Sequence, residues 1–324
     1  MQQIVIDIAD PTSKDQPALD AALACRSPES TLALFHNVYH KSIMDDPGNQ
    51  DQVLDEVRDL LLESRQGQLE ALASDRLGQK VAIHLVWAEQ GWQELIRYSA
   101  QSNASLVVTQ TVHKNRWQRL TLSNEDWETI RHCPIPLLLA RSDTADRYQQ
   151  VIAAIDPLHL DDKPASLDQK ILHHASGLAK LHSAPLKVVN VVVPTQLAPM
   201  GGMESAMAVC EVSEQVLDAH KQATSRLMDA EKCSRGADSH VVVGNPEEEI
   251  VELANATSGS LVVMGGVSRT RLQRLLIGST AERVLDKLTG DVLIVKPADF
   301  GVDMPAVDAL MQASVSPMTR SFIG

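Results

Sequence analysis

The stretch SLVVMGGVSRTRLQRL (residues 260–275) decides the fold of this 324-residue chain, because the chain contains it twice. The first copy reads SLVVTQTVHKNRWQRL (residues 105–120), at an offset of 155 residues. The same offset continues without a gap to PLLLAR (136–141) against DVLIVK (291–296). A match of this length indicates an internal duplication. The sequence therefore predicts two copies of one domain.

The join between the copies falls in SDTADRYQQ (residues 142–150), which is polar and lacks hydrophobic periodicity. We therefore expect a first domain at residues 1–146 and a second at residues 147–300. The last segment, residues 301–324, has weak periodicity and is predicted to be a tail.

The second copy alternates short apolar runs with helical patterns. The predicted strands are VIAAI (151–155), LKVVNVVV (186–193), HVVVG (240–244), SLVVMG (260–265) and DVLIVKP (291–297). The predicted helices span residues 164–181, 204–232 and 245–255, and a fourth follows Ser279; Asn245 is the expected cap of the third. Such alternation predicts an α/β fold, a doubly wound parallel sheet covered on both faces. Ligands of these sheets bind beyond the carboxyl ends of the strands, where the strand order reverses.

Two features of the fourth-strand region suit a phosphate. Gly265, Gly266 and Gly278 lack side chains, so that backbone amides can approach an anion closely. Ser279 and Thr280 follow at a helix N-terminus, where unpaired amides and the helix dipole favour negative charge.

A structural explanation of the same residues is also open. Ser279-Thr280-Ala281-Glu282 matches the capping box S-x-x-E, with Ser279 as N-cap, and Gly265 can simply end a strand. The spacing alone does not decide between a phosphate site and a capped helix.

The pattern resembles the universal stress proteins, whose nucleotide-binding members carry G-x2-G-x9-G-[ST] after strand four. Gly265, Gly278 and Ser279 match its first, third and fourth positions, while Ser268 replaces the second glycine. In AAIDP, Asp156 follows strand one, where nucleotide-binding relatives keep an aspartate near the adenosine. The tandem arrangement is similar to that of the two-domain E-type members.

The resemblance implies the universal stress protein fold, which is adenine nucleotide alpha-hydrolase-like, in both copies. It also implies a non-catalytic stress-response protein whose second domain binds ATP or a related adenine nucleotide, with Mg²⁺. Asp156 would contact the ribose or the metal, and Ser268 would join the glycines in offering close backbone. Ser279 and Thr280 would hydrogen-bond phosphate oxygens.

The first copy lacks these features. At the offset of 155, the residues Gly265, Gly266, Gly278 and Ser279 become Gln110, Thr111, Ser123 and Asn124. Glu125 and Asp126 follow at the helix start and would repel a phosphate. Because strand and helix persist without glycines, we infer that the fold does not need them, which favours a phosphate site in the second copy. Asp10 is the expected counterpart of Asp156.

Bulk properties exclude several functions. A formal net charge of −13 disfavours nucleic-acid binding, and no apolar run approaches the roughly 18 residues of a membrane span. Without a secretory signal or a CxxC pair, the chain is expected in the cytoplasm. His36 and His40 are predicted to share a helical face, and neither a metal site nor a catalytic signature is found.

Two other functions stay open. One is a slow ATPase or nucleotidyl transferase. The other is a nucleotide-free scaffold that binds a protein partner, or an apolar ligand beneath PTQLAPMGGMESAM (residues 194–207). We also expect the two copies to pack as an internal pseudo-dimer through their last strands, with a homodimer as a further option.

Overall fold

The computed structural model describes residues 2–39, 51–111, 122–141, 147–158, 166–193, 205–233, 236–266, 278–297, 300 and 319–323. Of residues 51–54, 205–213, 279 and 319–323 it describes the backbone. The chain divides into two compact units, and each is presented by itself. Ser268, His40 and residues 194–204 of the methionine-rich segment lie outside the described residues.

The first unit is a sheet of six described strands with helices between them. Its strands are β1 (Gln3–Asp7), β2 (Thr31–Asn37), β3 (Ala82–Val86), β4 (Ala104–Gln110), β5 (Leu137–Ala140) and, from the end of the chain, β11 (Thr319–Ile323). Its helices are α1 (Pro17–Ala24), α2 (Asp51–Leu77), α3 (Gly91–Gln101) and α4 (Asn124–His132). The strand order is β11-β3-β2-β1-β4-β5, and every pair is parallel except β11 with β3.

The second unit repeats this order. Its strands are β6 (Gln150–Ala154), β7 (Leu186–Val192), β8 (Asp238–Val243), β9 (Ser260–Gly265) and β10 (Asp291–Val295). Its helices are α5 (Ser166–His182), α6 (Ser205–Ala230), α7 (Pro246–Asn255) and α8 (Ser279–Lys287). The order is β10-β9-β6-β7-β8, all parallel. The predicted doubly wound parallel fold is confirmed.

The central strands are buried because helices cover the sheet. All five residues of β10 and the first five of β9 are buried. Helix α5 turns an apolar stripe inward, made by Leu167, Ile171 and Ala175. Burial of such stripes is the main source of stability in this fold class. No described helix combines the length and the apolar character needed to span a bilayer.

The helix caps were predicted with mixed success. The side chain of Asn245 accepts a hydrogen bond from the Glu247 amide at 3.2 Å, as its cap position predicts. The capping box on Ser279 is wrong by one residue: α8 already begins at Ser279, and its N-cap is Gly278. The first helical bond confirms this, since the Glu282 amide donates to the Gly278 carbonyl at 3.0 Å.

Two other elements differ from expectation. Within the predicted tail, Thr319–Ile323 pair antiparallel with β3, which gives the backbone groups of that edge their partners. His36 lies in strand β2 and not on a helix. Its neighbours in TLALFHN are buried from Leu32 to His36, so strand pairing prevailed over the spacing of the two histidines.

Candidate functional site

The reversal of strand order in the second unit lies between β6 and β9. These parallel strands pair along their length, so their carboxyl ends meet at one edge of the sheet. Asp156 comes two residues after β6, Gly265 is the last residue of β9, and Gly266 follows it. Three of the predicted site residues therefore gather at the position where doubly wound sheets bind ligands.

The loop after β6 is held by α5. The amide of Asp156 donates a hydrogen bond to Oδ1 of Asp168 at 3.2 Å. Asp168 belongs to the first turn of α5 and is buried. In the first unit, the registers with β4 and β9 put Ala9, and not Asp10, at the position equivalent to Asp156. Asp10 instead accepts hydrogen bonds from the amide and the hydroxyl of Thr12, at 2.9 and 2.7 Å.

The two glycines at the end of β9, Gly265 within the strand and Gly266 directly after it, have close packing contacts that the sequence did not reveal. A Cβ on Gly266 would lie 2.3 Å from Cγ2 of Ile294, and a Cβ on Gly265 would lie 2.9 Å from Cδ2 of Leu167. The inference that the fold does not need glycine is therefore wrong for Gly266, whereas at Gly265 the contact is with the flexible end of Leu167. In the first unit the residue equivalent to Ile294 is Leu139, which is not branched at Cβ.

The start of α8 is the clearest difference between the units. Gly278 has φ −62° and ψ 139° and offers no side chain to the free amides of the first turn. At the same position in the first unit, Ser123 Oγ accepts from the Asp126 amide at 3.1 Å. Asp126 Oδ2 in turn accepts from the Ser123 amide at 2.7 Å, which completes a capping box. Two of the backbone amides at the start of α4 are thus paired with the chain's own side chains.

Helix α8 is anchored by ion pairs to α7. Glu247 Oε1 accepts from Lys287 Nζ at 2.8 Å, and Arg283 Nη1 lies 3.4 Å from Oε2. The hydrogen bond from Lys287 is the largest of the effects that lower the pKa of Glu247. These contacts link α7 to α8, whose first residues are Ser279 and Thr280. Thr280 is half-buried.

Lys296 is a site residue that the sequence reasoning missed. Its side chain is buried, and Nζ donates to the Gly266 carbonyl at 2.6 Å. The ammonium also lies 4.4 Å from the ring centroid of Phe300. The signal was present in the repeat, because PLLLAR against DVLIVK aligns Lys296 with Arg141 and keeps a cation after the last strand of each copy.

The first unit has a carboxyl group under the influence of the equivalent cation, Arg141. Burial raises the pKa of Asp126, and the charge of Arg141 opposes this rise. The residue equivalent to Asp126 in the second unit is Ala281. Across the residues that the structure describes, no group of three or more histidine, cysteine, aspartate or glutamate side chains is arranged to hold a metal ion.

Comparison with known proteins agrees with this fold. The profile of the Universal stress protein family matches residues 1–141 and again residues 147–296. The Universal stress protein E of Salmonella typhi is 24% identical over 311 residues, covering 93% of this chain and 96% of the relative. The Escherichia coli K12 protein of the same name is 23% identical over 312 residues, with coverages of 93% and 96%.

Solved structures show the same fold over more than nine tenths of the chain. A functionally unknown protein from Pseudomonas aeruginosa PAO1 superimposes with a TM-score of 0.67 at 24% identity, covering 96% of each chain. A universal stress protein from Archaeoglobus fulgidus gives a TM-score of 0.54 at 14% identity and covers 91% of this chain and 98% of its own. With two matched domains that span almost its entire length, the chain belongs to the universal stress protein family.

Proposed function

We propose that this protein acts in the stress response by binding ATP or a related adenine nucleotide in its second unit, without transforming it. The observation that carries the proposal is the N-terminus of α8, which begins after Gly278 and has no side-chain cap. Free amides and the positive end of the helix dipole at this position favour a phosphate.

The surrounding residues support the same ligand. The residues equivalent to the acidic pair Glu125 and Asp126 are Thr280 and Ala281, so the carboxylates that would repel phosphate are absent from these positions. Lys296 adds a buried positive charge beside Gly266. Electrostatic attraction is strong where water is excluded, so this cation stabilises a bound anion.

The individual roles follow from position. Asp156 would bind the ribose or a Mg²⁺ ion that accompanies the nucleotide, and the backbone at Gly265, Gly266, Ser268 and Gly278 would approach the phosphates. Ser279 and Thr280 would donate hydrogen bonds from their hydroxyl groups to phosphate oxygens. Packing against Leu167 and Ile294 also accounts for the glycines at positions 265 and 266. The proposal therefore rests mainly on Gly278 and the residues after it.

The variant Gly278→Asp tests the phosphate site. The backbone at this position, φ −62° and ψ 139°, is open to any residue. Aspartate caps helices well, so the stability without ligand should stay constant or rise by a few tenths of a kcal/mol. The new carboxylate would occupy the phosphate position, and we expect calorimetric titration to show no ATP binding.

Ser123→Asp is the matched control, because it exchanges one good cap for another at the equivalent position of the first unit. This variant should bind ATP as the parent does. ATP binding by Gly278→Asp at parental affinity would remove the site from the start of α8. Production of ADP during the titration would show turnover and contradict the non-catalytic part of the proposal.

The internal pseudo-dimer, a homodimer and the cytoplasmic location stay predictions. So do the boundaries at residues 146 and 300.

A further inference from the structure

The first unit contains a cavity at the edge where its own strand order reverses. It has a volume of about 310 Å³ and lies at the carboxyl ends of β1, β2 and β4, against the first turns of α3 and α4. This volume lies at the lower end of the range of small-molecule pockets, about 300–1,000 Å³, and leaves room for one small organic molecule. The position is equivalent to the proposed nucleotide site of the second unit, but the lining is chemically different.

Three carboxyl groups line this cavity: Asp7, Glu125 and Asp126. Asp7 Oδ2 accepts a hydrogen bond from Thr109 Oγ1 at 3.0 Å. Burial raises the pKa of Asp7 to about 7, against the hydrogen bond from Thr109, and the charges of Glu125 and Asp126 raise it further. Burial also raises the pKa of Glu125, which accepts a backbone hydrogen bond from Gly91. A bound cation would relieve this cost of holding carboxyl groups together in a partly dry site.

An independent feature is a buried acceptor on β4. Gln110 lines the cavity, and its Oε1 is buried without a hydrogen-bond partner in the described part of the chain. Leaving a buried acceptor unpaired is costly, on the order of 1–3 kcal/mol. A ligand that donates N–H groups would satisfy Gln110 Oε1 together with the carboxyl groups.

Basic side chains also lie near the cavity, but each already interacts with other groups of the protein. Arg65 lines it and donates to Gln68 Oε1 at 2.8 Å, while its Nη1 lies 3.7 Å from Asp10 Oδ1. The charge of Arg141 acts on Asp126. His36 lines the cavity as well, and its Nδ1 lies 2.5 Å from the Ile8 carbonyl oxygen. Because a carbonyl oxygen only accepts hydrogen bonds, Nδ1 carries the proton and donates the hydrogen bond to Ile8. Among the residues that the structure describes around this cavity, the remaining balance of charge favours a cation.

Aromatic rings form another part of the wall. Tyr39 and Trp92 line the cavity. Trp92 is held by stacking on His132 at a centroid distance of 4.9 Å, and Tyr39 meets Trp87 edge to face at 5.7 Å. Rings of this kind attract ammonium groups through their electron-rich faces and pack against apolar bodies.

We propose that this cavity of the first unit binds a small organic cation, a primary ammonium on an aromatic or apolar body. The ammonium would donate to Asp7, Glu125 and Gln110 Oε1, and the body would pack against Trp92 and Tyr39. The duplicated domains would then bind ligands of opposite charge. The inference goes beyond the proposed nucleotide site and does not depend on it.

Calorimetric titration with tyramine, benzylamine and putrescine tests the proposal, and Trp92 offers a second readout by fluorescence. We expect at least one amine to bind. Tyramine should bind at least tenfold more tightly than its uncharged analogue 4-ethylphenol and than the anion 3-(4-hydroxyphenyl)propionate. Absence of binding by all three amines, or equal binding of tyramine and 4-ethylphenol, would overturn the proposal.

Charge-removing variants locate the site. Glu125→Gln keeps an acceptor for the Gly91 amide but removes the charge, and we expect a loss of affinity of about tenfold. Glu29→Gln is the control, since Glu29 is an exposed carboxylate of the first unit and is not part of the cavity wall. Equal effects of both variants would contradict the assignment. Amine binding should persist in Gly278→Asp, which separates this proposal from the nucleotide site.

Discussion

Lys296 donates a hydrogen bond from Nζ to the carbonyl oxygen of Gly266 at 2.6 Å, and so links the residue after β10 to the residue after β9. Both residues lie beside the reversal of strand order in the second unit. The hydrogen bond holds a buried positive charge at the carboxyl ends of the strands, the edge of the sheet at which Gly265 and Asp156 also lie. The same residue therefore supports the backbone of this edge and the electrostatics of the proposed site.

Lys296→Met should weaken both. The Gly266 carbonyl would lose a charged donor, which we expect to lower the free energy of unfolding by about 1–3 kcal/mol. ATP affinity should fall by about tenfold, equivalent to about 1.4 kcal/mol. Urea denaturation and calorimetry measure the two effects. Arg141→Met, at the equivalent position of the first unit, is the control and should leave ATP affinity unchanged; equal losses from the two variants would show that Lys296 has no special role.

Gly266→Ala should destabilise the second unit, because the new Cβ would lie 2.3 Å from Cγ2 of Ile294. Overpacking of this kind costs about 1–3 kcal/mol. Gly265→Ala should cost less, since its nearest neighbour at 2.9 Å is the flexible end of Leu167. The free energies of unfolding of both variants, from chemical denaturation, give the comparison.

A compensating change makes the explanation specific. Ile294→Leu removes the branched methyl group and reproduces Leu139 of the first unit, which accommodates Thr111 at the position of Gly266. The double variant with Gly266→Ala should recover most of the lost stability, with a coupling energy well above the usual 0.3–0.5 kcal/mol of independent sites. Simple additivity would rule out the contact with Ile294 as the reason for the glycine.

Stability should depend on pH through Asp7. Burial raises its pKa from 3.8 to about 7 in the folded protein, so the folded state binds more protons than the unfolded state between these values. The free energy of unfolding contributed by this group therefore falls as pH rises from about 4 to about 7, by about 1 kcal/mol per pH unit. Asp7→Asn keeps a hydrogen-bonding group near Thr109 and should flatten this part of the profile.

The measurement is thermal or urea denaturation across that pH range. Asp218→Asn serves as the control, since its side chain is 67% exposed on α6 and should leave the profile unchanged. Burial lowers the pKa of His84 and of His174 to about 4, so these two groups add a contribution of opposite sign in the same window, and the test is the difference between the parent and the variant. A profile that Asp7→Asn does not change would contradict the buried and protonated state of Asp7.

The sequence by itself determined the duplication, the fold class and the order of elements in the second unit. These follow from the offset of 155 residues and from short apolar runs, which record burial directly. The cap at Asn245 was also readable, because its hydrogen bond with Glu247 is local in the chain. Local interactions and repeated patterns are properties of the sequence alone.

Only the tertiary structure decided what depends on contacts between distant residues. The clash that requires Gly266 involves Ile294, and the bond from Lys296 reaches Gly266 across 30 positions. The pairing of β11 with β3 and the gathering of Asp7, Gln110 and Glu125 around one cavity join segments far apart in the chain. Such contacts form only when folding brings distant segments together. A single sequence does not show which side chains will then pack against each other.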